Sequence, residues 1–468
     1  MNKEAHVVVL PWSAFGHMLP FLQLSFALAK AGIKVSFVST PRNIQRLPKI
    51  PQKLSSLIHF VDFPLPPLEN KLLPKGAEAT VDIPFEKIQY LKLQYDLLRD
   101  PFKQFLSEQR PDWIIFDAIP FWAAEIVEEH YIPSIYFSVF SASTYAFLGP
   151  PEDLAGDDWK RIRPSPKSFT SPPEWVTFPS SLAYRSFETT GFYHAFFGGN
   201  ASGISDAERV AKSFSSCQVV AIRSCPEYEG EYLNLLENIM KKPVLPIGLL
   251  PPEKLERRRS SEEKEWIEIF DWLDKQKPKS VVFVGFGSEC KLNKEQVHEI
   301  AYGLELSELP FLWALRKPAW ADGDHDALPP GFSDRTHDRG VVQFGWAPQS
   351  EILGHTPIGG SLFHSGWGSV IEILQFGHSL ILLPFIIDQP LNARVLVDKG
   401  LAVEVERNED GSFTREGIAK ALRLAMVSEE GESLRIKAQE AGRIFGDQKL
   451  HASYFGKFVE YLKKEVQD

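Results

Sequence analysis

The sequence predicts an α/β protein of two doubly wound lobes. Short, continuously apolar runs alternate with helix-spaced segments in both halves of the chain, and a proline-rich, charged stretch interrupts that alternation once near the middle. The 468 residues suffice for two or three domains with full-sized cores. Strands that are apolar throughout, with no alternating polar residues, imply parallel sheets covered on both faces.

In the first half, residues 6–10 read as a strand, residues 14–16 as a turn, and residues 19–31 as a helix ending at Gly32. Residues 34–39 form the next strand. The unit recurs with a strand at 113–116, a helix near 122–130 and a strand at 134–137. From 241 to 265, Pro243, Pro246, Pro251 and Pro252 precede a polar run, which marks a linker with a solvated loop. The pattern then restarts, with strands at 280–285 and 311–315 around a helix at 294–305, and continues to Val405. Residues 429–467 are charged and poor in Gly and Pro, so terminal helices are expected there. The expected organisation is an N-terminal lobe at 1–240, a linker at 241–265, a C-terminal lobe at 266–445, and a last helix at 446–468 packing back on the first lobe. Open α/β sheets bind ligands at the carboxyl ends of their strands, so the site is expected in a cleft that the lobes share.

Composition removes several function classes. An apolar fraction of 44% with 24% charged residues belongs to a globular chain, and a net charge of −10 disfavours nucleic acid or anionic lipid as partner. Three cysteines, Cys217, Cys225 and Cys290, without a CxxC pair fit neither a disulfide framework nor a cysteine zinc site. Residues 5–29 carry no Asp, Glu, Lys or Arg and include the signal-like Ala27-Leu28-Ala29, but Pro11, Gly16, His17 and Pro20 break them, so no membrane insertion is expected. The expectation is a cytoplasmic monomer, in which the sequon Asn200-Ala201-Ser202 has no role.

The segment Gly285-Phe286-Gly287-Ser288-Glu289-Cys290 lacks the third glycine of a dinucleotide fingerprint. No GxxxxGK[ST] loop, GxSxG elbow or HExxH pair occurs, so dehydrogenase, P-loop kinase, serine hydrolase and metal-dependent readings lose their main support. The informative stretch is 346–389, WAPQSEILGHTPIGGSLFHSGWGSVIEILQFGHSLILLPFIIDQ. Within it, His364-Ser365-Gly366-Trp367-Gly368-Ser369 leads into a helical run at 370–375, which sets backbone N–H groups and a hydroxyl at a helix N-terminus, a natural anion site. The plainer alternative is an ordinary N-cap at Ser365 or Ser369.

That segment resembles the signature box of plant family-1 UDP-glycosyltransferases, which opens with WAPQ, passes through HxGWxS and E, and closes with DQ. The resemblance covers essentially the whole chain and implies the two-lobed GT-B fold. It implies that Trp346 stacks on uracil, that Ala347 and Gln349 help hold the base and ribose, and that Glu372 accepts from the ribose hydroxyls. His364 and Ser369, with the backbone of Trp367 and Gly368, would hold the diphosphate, and Ser288 would add a second phosphate contact. Asp388 and Gln389 would meet the donor sugar. UDP-sugar is then a co-substrate, and no cofactor or metal is expected. The chain departs from the pattern at Gly368, where the family usually has Asn, and at Ser379, where it has Pro. The second change is expected to alter turn rigidity ahead of a strand.

The same resemblance points to His17, in Phe15-Gly16-His17-Met18-Leu19-Pro20, as the general base and to Asp117, at the end of the 113–116 strand, as its partner. A hydroxyl is a weak nucleophile until its proton leaves, and imidazole titrates near neutrality, so His17 suits that task. Asp117 would set the tautomer and stabilise the imidazolium, and a single displacement on an α-linked donor would give a β-linked product. The acceptor side offers Phe15, Met18, Tyr90, Phe121, Trp122, Ser141, Thr144, Tyr193 and Phe196, with Phe192 and Phe197 beside them; aromatic residues of this kind serve equally as core packing. Residues 15–20, 193–196 and 285–289 resemble the plant subgroup that extends existing sugar chains, including steviol glycoside glucosyltransferases and flavonoid glycoside rhamnosyltransferases. This implies a small-molecule glycoside such as a terpenoid or flavonoid glycoside as acceptor and makes rhamnose the rival donor sugar; glucose is the expected one, because the family resemblance associates Gln at the place of Gln389 with glucose and His there with galactose. Direct transfer to an aglycone and a non-catalytic UDP-sugar-binding protein are the alternatives.

Overall fold

The computed structural model describes residues 5–68, 72–155, 159–252 and 264–465. The chain divides into two compact units. The first gathers Met1–Phe178, Thr189–Leu250 and Lys449–Asp468, and the second gathers Pro179–Glu188 and Pro251–Gln448.

Seven strands form the sheet of the first unit: β1 (His6–Leu10), β2 (Lys34–Ser39), β3 (Ile58–Asp62), β4 (Trp113–Phe116), β5 (Ser134–Ser138), β6 (Val219–Ile222) and β7 (Val244–Pro246). They lie in the order β3-β2-β1-β4-β5-β6-β7 and pair in parallel throughout. Central strands such as Val7-Val8-Val9-Leu10 and Trp113-Ile114-Ile115-Phe116 are fully buried, as strands covered on both faces must be. Between β1 and β4 the order reverses, and in open α/β sheets ligands bind at such switch points.

The sheet of the second unit repeats the plan with β8 (Val281–Gly285), β9 (Phe311–Leu315), β10 (Gly340–Phe344), β11 (Ile358–Phe363), β12 (Ser379–Leu382) and β13 (Ala402–Glu404). The parallel order β10-β9-β8-β11-β12-β13 has its reversal between β8 and β11. The second unit's core gathers Val282, Val284, Trp313, Leu362 and Ile381 with Ile418 and Leu422 of the helix Arg415–Met426.

Several sequence expectations change in detail. The first helix starts at Phe15 and runs to Lys30, so His17 sits in its first turn and not in a loop. Gly32 follows it at φ +80°, the left-handed step that turns the chain into β2. Residues 244–246 are no linker: they are the edge strand β7, where Pro243 and Pro246 are tolerated because one side of the strand needs no donors. The charged run 253–263 lies outside the described residues. Ser379 is buried as the first residue of β12, paired with Gly360, so it is a strand residue and not part of a turn. Pro179–Glu188, expected within the first lobe, packs with the second unit. The last helix, Gln448–Glu465, belongs to the first unit, where Phe458 and Leu462 are buried in the core and Trp113 donates its indole N–H to the Leu462 carbonyl at 3.1 Å.

Candidate active site

The carboxyl ends of β1 and β4, on either side of the first reversal, carry His17 and Asp117. Nδ1 of His17 lies 2.7 Å from Oδ2 of Asp117. The carboxylate is 1% exposed and also accepts the N–H of Trp12 at 3.0 Å and that of Ala118 at 2.7 Å. A carboxylate can only accept, so Nδ1 is the donor and the imidazole lone pair falls on Nε2. The ring stands edge-on to Phe140 at 5.5 Å and keeps 15% of its side-chain surface exposed. His17 is also the third residue of a helix, where the positive end of the dipole opposes a charged imidazole and Asp117 favours it. Asp117 does not cap a helix, because the next helix begins only at Trp122.

In the second unit His364 directly follows β11. Its ring lies between two glycines: a Cβ at Gly287, itself at φ +68°, would come within 2.9 Å of Cε1, and one at Gly366 within 2.7 Å of Nε2. Burial pushes this imidazole down to about 4, so it is neutral at physiological pH, and its buried Nδ1 has no partner among the described residues. The helix Trp367–Leu374 then starts at Gly366 with no side-chain cap and no acidic residue in its first turn. Neither serine caps it. The Ser365 hydroxyl donates instead to the carbonyls of His364 and Gln389, and Ser369 lies within the first turn. The first-turn N–H groups, which no intrahelical carbonyl can satisfy, and a neutral imidazole thus converge on one short loop. Ser288 follows Gly287 after β8, and its own carbonyl accepts Arg316 at 2.7 Å.

Trp346 is 75% exposed, a wide apolar face offered to solvent. Ala347 is next to it, and Gln349 begins a short helix and donates Nε2–H to Oε2 of Glu372 at 2.6 Å, which joins two of the predicted residues. The Trp367 side chain is buried against Phe445, so only its backbone faces the loop. Gly368, half-buried in the first turn, has no side chain to contribute.

Asp388 and Gln389 open the helix Gln389–Asp398 and are 6% and 5% exposed. Oε1 of Gln389 already accepts the N–H groups of Phe385 and Ile386, both at 3.0 Å, so its amide NH2 is the end that remains for a ligand. Sequence reasoning missed Asn392, whose Nδ2 donates to Oδ2 of Asp388 at 2.7 Å and to the Ser365 carbonyl at 3.0 Å. The signal was present, since Asp388 and Asn392 are spaced i, i+4 on one helix.

The acceptor candidates have differing surroundings. Met18 and Trp122 are core residues, 0% and 2% exposed, and the Trp122 indole donates to Asp96. Ser141 caps the helix Ala142–Leu148, and its hydroxyl is bonded to that of Thr144 at 2.9 Å, both being buried. Phe192, Tyr193 and Phe197 pack around Phe169, with Phe196 stacked on Phe192. Phe121 lies under Arg209 and Lys212. Phe15 and Tyr90 remain half-buried. The packing reading therefore prevails for Met18, Trp122, Ser141 and Thr144, because sequence spacing cannot distinguish a pocket wall from a core contact.

Two parallel, doubly wound units, each with its own strand-order reversal, are the plan of the GT-B glycosyltransferases. Residues 263–448 match the family described as UDP-glucoronosyl and UDP-glucosyl transferase. The chain is 44% identical to UDP-glycosyltransferase 91A1 of Arabidopsis thaliana over 98% of this chain and 97% of that one. It is 42% identical to the soyasaponin III rhamnosyltransferase of Glycine max over 99% and 96%. The crystal structure of Arabidopsis thaliana UGT89C1 complexed with UDP-L-rhamnose is similar with a TM-score of 0.73 at 25% identity, covering 99% of this chain and 100% of that one. This protein belongs to the UDP-glycosyltransferase family and is an enzyme of that class. Among the described residues no helix is long and apolar enough to cross a membrane.

Proposed function

We propose that this enzyme transfers glucose from UDP-glucose to a hydroxyl of a small molecule that already carries a sugar, forming a sugar–sugar bond with inversion at the anomeric carbon. The observation that carries the catalytic reading is the His17–Asp117 contact, since a protein that merely binds a UDP-sugar has no use for an imidazole whose tautomer is set by a buried carboxylate. Nε2 of His17 takes the acceptor proton as the oxygen attacks, and Asp117 stabilises the imidazolium that results. The leaving UDP gains negative charge. The first-turn N–H groups of the helix Trp367–Leu374, with His364, Ser369 and Ser288, meet that charge. Trp346 supports the base, Gln349 and Glu372 the ribose, and Asp388 and Gln389 the sugar. In this reading the protein works as a cytoplasmic monomer and its own groups suffice, with no cofactor.

The glycoside acceptor is supported by the resemblance of the segments around His17 and Phe196 to sugar-chain-extending enzymes. Direct transfer to an aglycone is the second reading, favoured by the burial of Ser141 and Thr144, which engages with one another two hydroxyls expected to meet the acceptor's sugar. The test is kcat/KM for matched pairs of a terpenoid or flavonoid glycoside and its aglycone with UDP-glucose. A site that hydrogen-bonds a sugar rejects the aglycone by leaving polar groups unpaired, so the glycoside is expected to lead by tenfold or more, roughly the worth of one or two hydrogen bonds. Equal or higher values for the aglycone establish the second reading.

A further inference from the structure

We propose that Tyr184 is a positioning residue for donor-sugar recognition, because it pins the strained turn that presents Asp388 and Gln389. The inference rests on the reading that these two residues meet the sugar. Ile387, immediately before them, has φ +55°. A β-branched residue reaches the left-handed region only when its surroundings impose it. Burial of its own side chain does not impose it, since Ile387 is 47% exposed.

What holds the turn comes from about 200 residues earlier in the chain. Tyr184 is 3% exposed, and its phenol donates to the Ile387 carbonyl at 2.6 Å, gripping the strained residue's own peptide. The remaining contacts tie the turn to its neighbours: Gln389 accepts from Phe385 and Ile386, and Asn392 bridges Asp388 to the Ser365 carbonyl. The segment bearing Tyr184 is fastened independently at both ends. Ser181 donates its N–H and hydroxyl to Asp398, and Glu188 pairs with Arg394 at 3.2 Å. Removing the Tyr184 hydroxyl therefore loosens the turn without detaching the segment.

Tyr184→Phe keeps the buried ring and deletes one bond. Binding is measured by calorimetry on the full chain with UDP-glucose, UDP-rhamnose and UDP. The dissociation constant of the tighter UDP-sugar is expected to rise about three- to tenfold, as for one lost hydrogen bond, while that of UDP stays within about twofold. Equal changes for UDP-sugar and UDP, or no change in either, overturn the proposal; a general loss of stability would not alter their ratio. In an Ile387→Gly background, where the left-handed turn is no longer strained, the effect of Tyr184→Phe is expected to shrink below about twofold. Its persistence in full also overturns the proposal. Asp388→Asn tests the underlying reading separately: unchanged UDP-sugar affinity there removes Asp388 as the sugar contact, whereas the Tyr184 inference stands or falls on its own ratio.

Discussion

Nδ1 of His17 and Oδ2 of Asp117 meet at 2.7 Å across 100 residues of sequence and across the two strands, β1 and β4, between which the sheet order reverses. Two backbone N–H groups, from Trp12 and Ala118, hold the carboxylate so that it points at the ring. Asp117→Asn replaces an acceptor by a group that cannot stabilise the imidazolium. Turnover is expected to fall ~10²–10⁴-fold with little change in UDP affinity, measured by initial-rate UDP release and calorimetry. Activity within threefold of the parent enzyme would show that Asp117 only shapes the backbone.

Trp346, 75% exposed, is offered as the platform for the uracil ring. Base–aromatic stacking is worth about 1–3 kcal/mol, so Trp346→Ala should raise the dissociation constant of UDP by about 5- to 150-fold, and Trp346→Phe by much less. Unchanged UDP affinity in the alanine variant would place the base elsewhere.

The donor sugar is expected to be glucose. Family resemblance associates Gln at position 389 with glucose, and the free end of that side chain is an amide NH2 suited to a hydroxyl that rhamnose, a deoxy sugar, presents differently. In direct competition at equal concentrations, UDP-glucose should yield the larger product fraction by mass spectrometry. A dominant rhamnoside would overturn the assignment.

Burial pushes His364 down to about 4 and His378 to about 3. An unfolded histidine titrates near about 6.5, so below that pH the unfolded chain takes up protons that the folded chain refuses. Stability should be full above about pH 6.5 and decline as pH falls toward about 4, with His364 alone accounting for at most about 2–3 kcal/mol over that window. Urea denaturation at several pH values in this window reads the slope, and His364→Asn should flatten it. An unaltered slope would mean that the His364 ring takes up protons equally well in both states.

Much of this was legible in the sequence because continuous apolar runs leave few alternatives. Strands at His6–Leu10, Lys34–Ser39, Trp113–Phe116 and Phe311–Leu315 fall where the runs lie. Residues 244–246 did not read as a strand, since prolines mark loops unless the strand is an edge, and edge position is a property of the whole sheet. His17 and Asp117 were legible as a pair only through family resemblance; their 2.7 Å contact depends on the order of strands, which no local pattern encodes. Ser141 and Thr144 look like pocket hydroxyls in one dimension but satisfy each other in three. Tyr184 carried no local signal at all, because its partner lies some 200 residues away.

The most direct measurement is the turnover of His17→Ala with UDP-glucose and a glycoside acceptor, set beside its affinity for UDP. His17 resides in the first unit and residues 364–369 in the second, so the two quantities separate the proposed chemistry from the proposed donor binding. Turnover reduced ~10²–10⁴-fold with UDP affinity within twofold is the expected result for a lost general base. Turnover near that of the parent enzyme would contradict the account, because the acceptor hydroxyl would then lose its proton without His17.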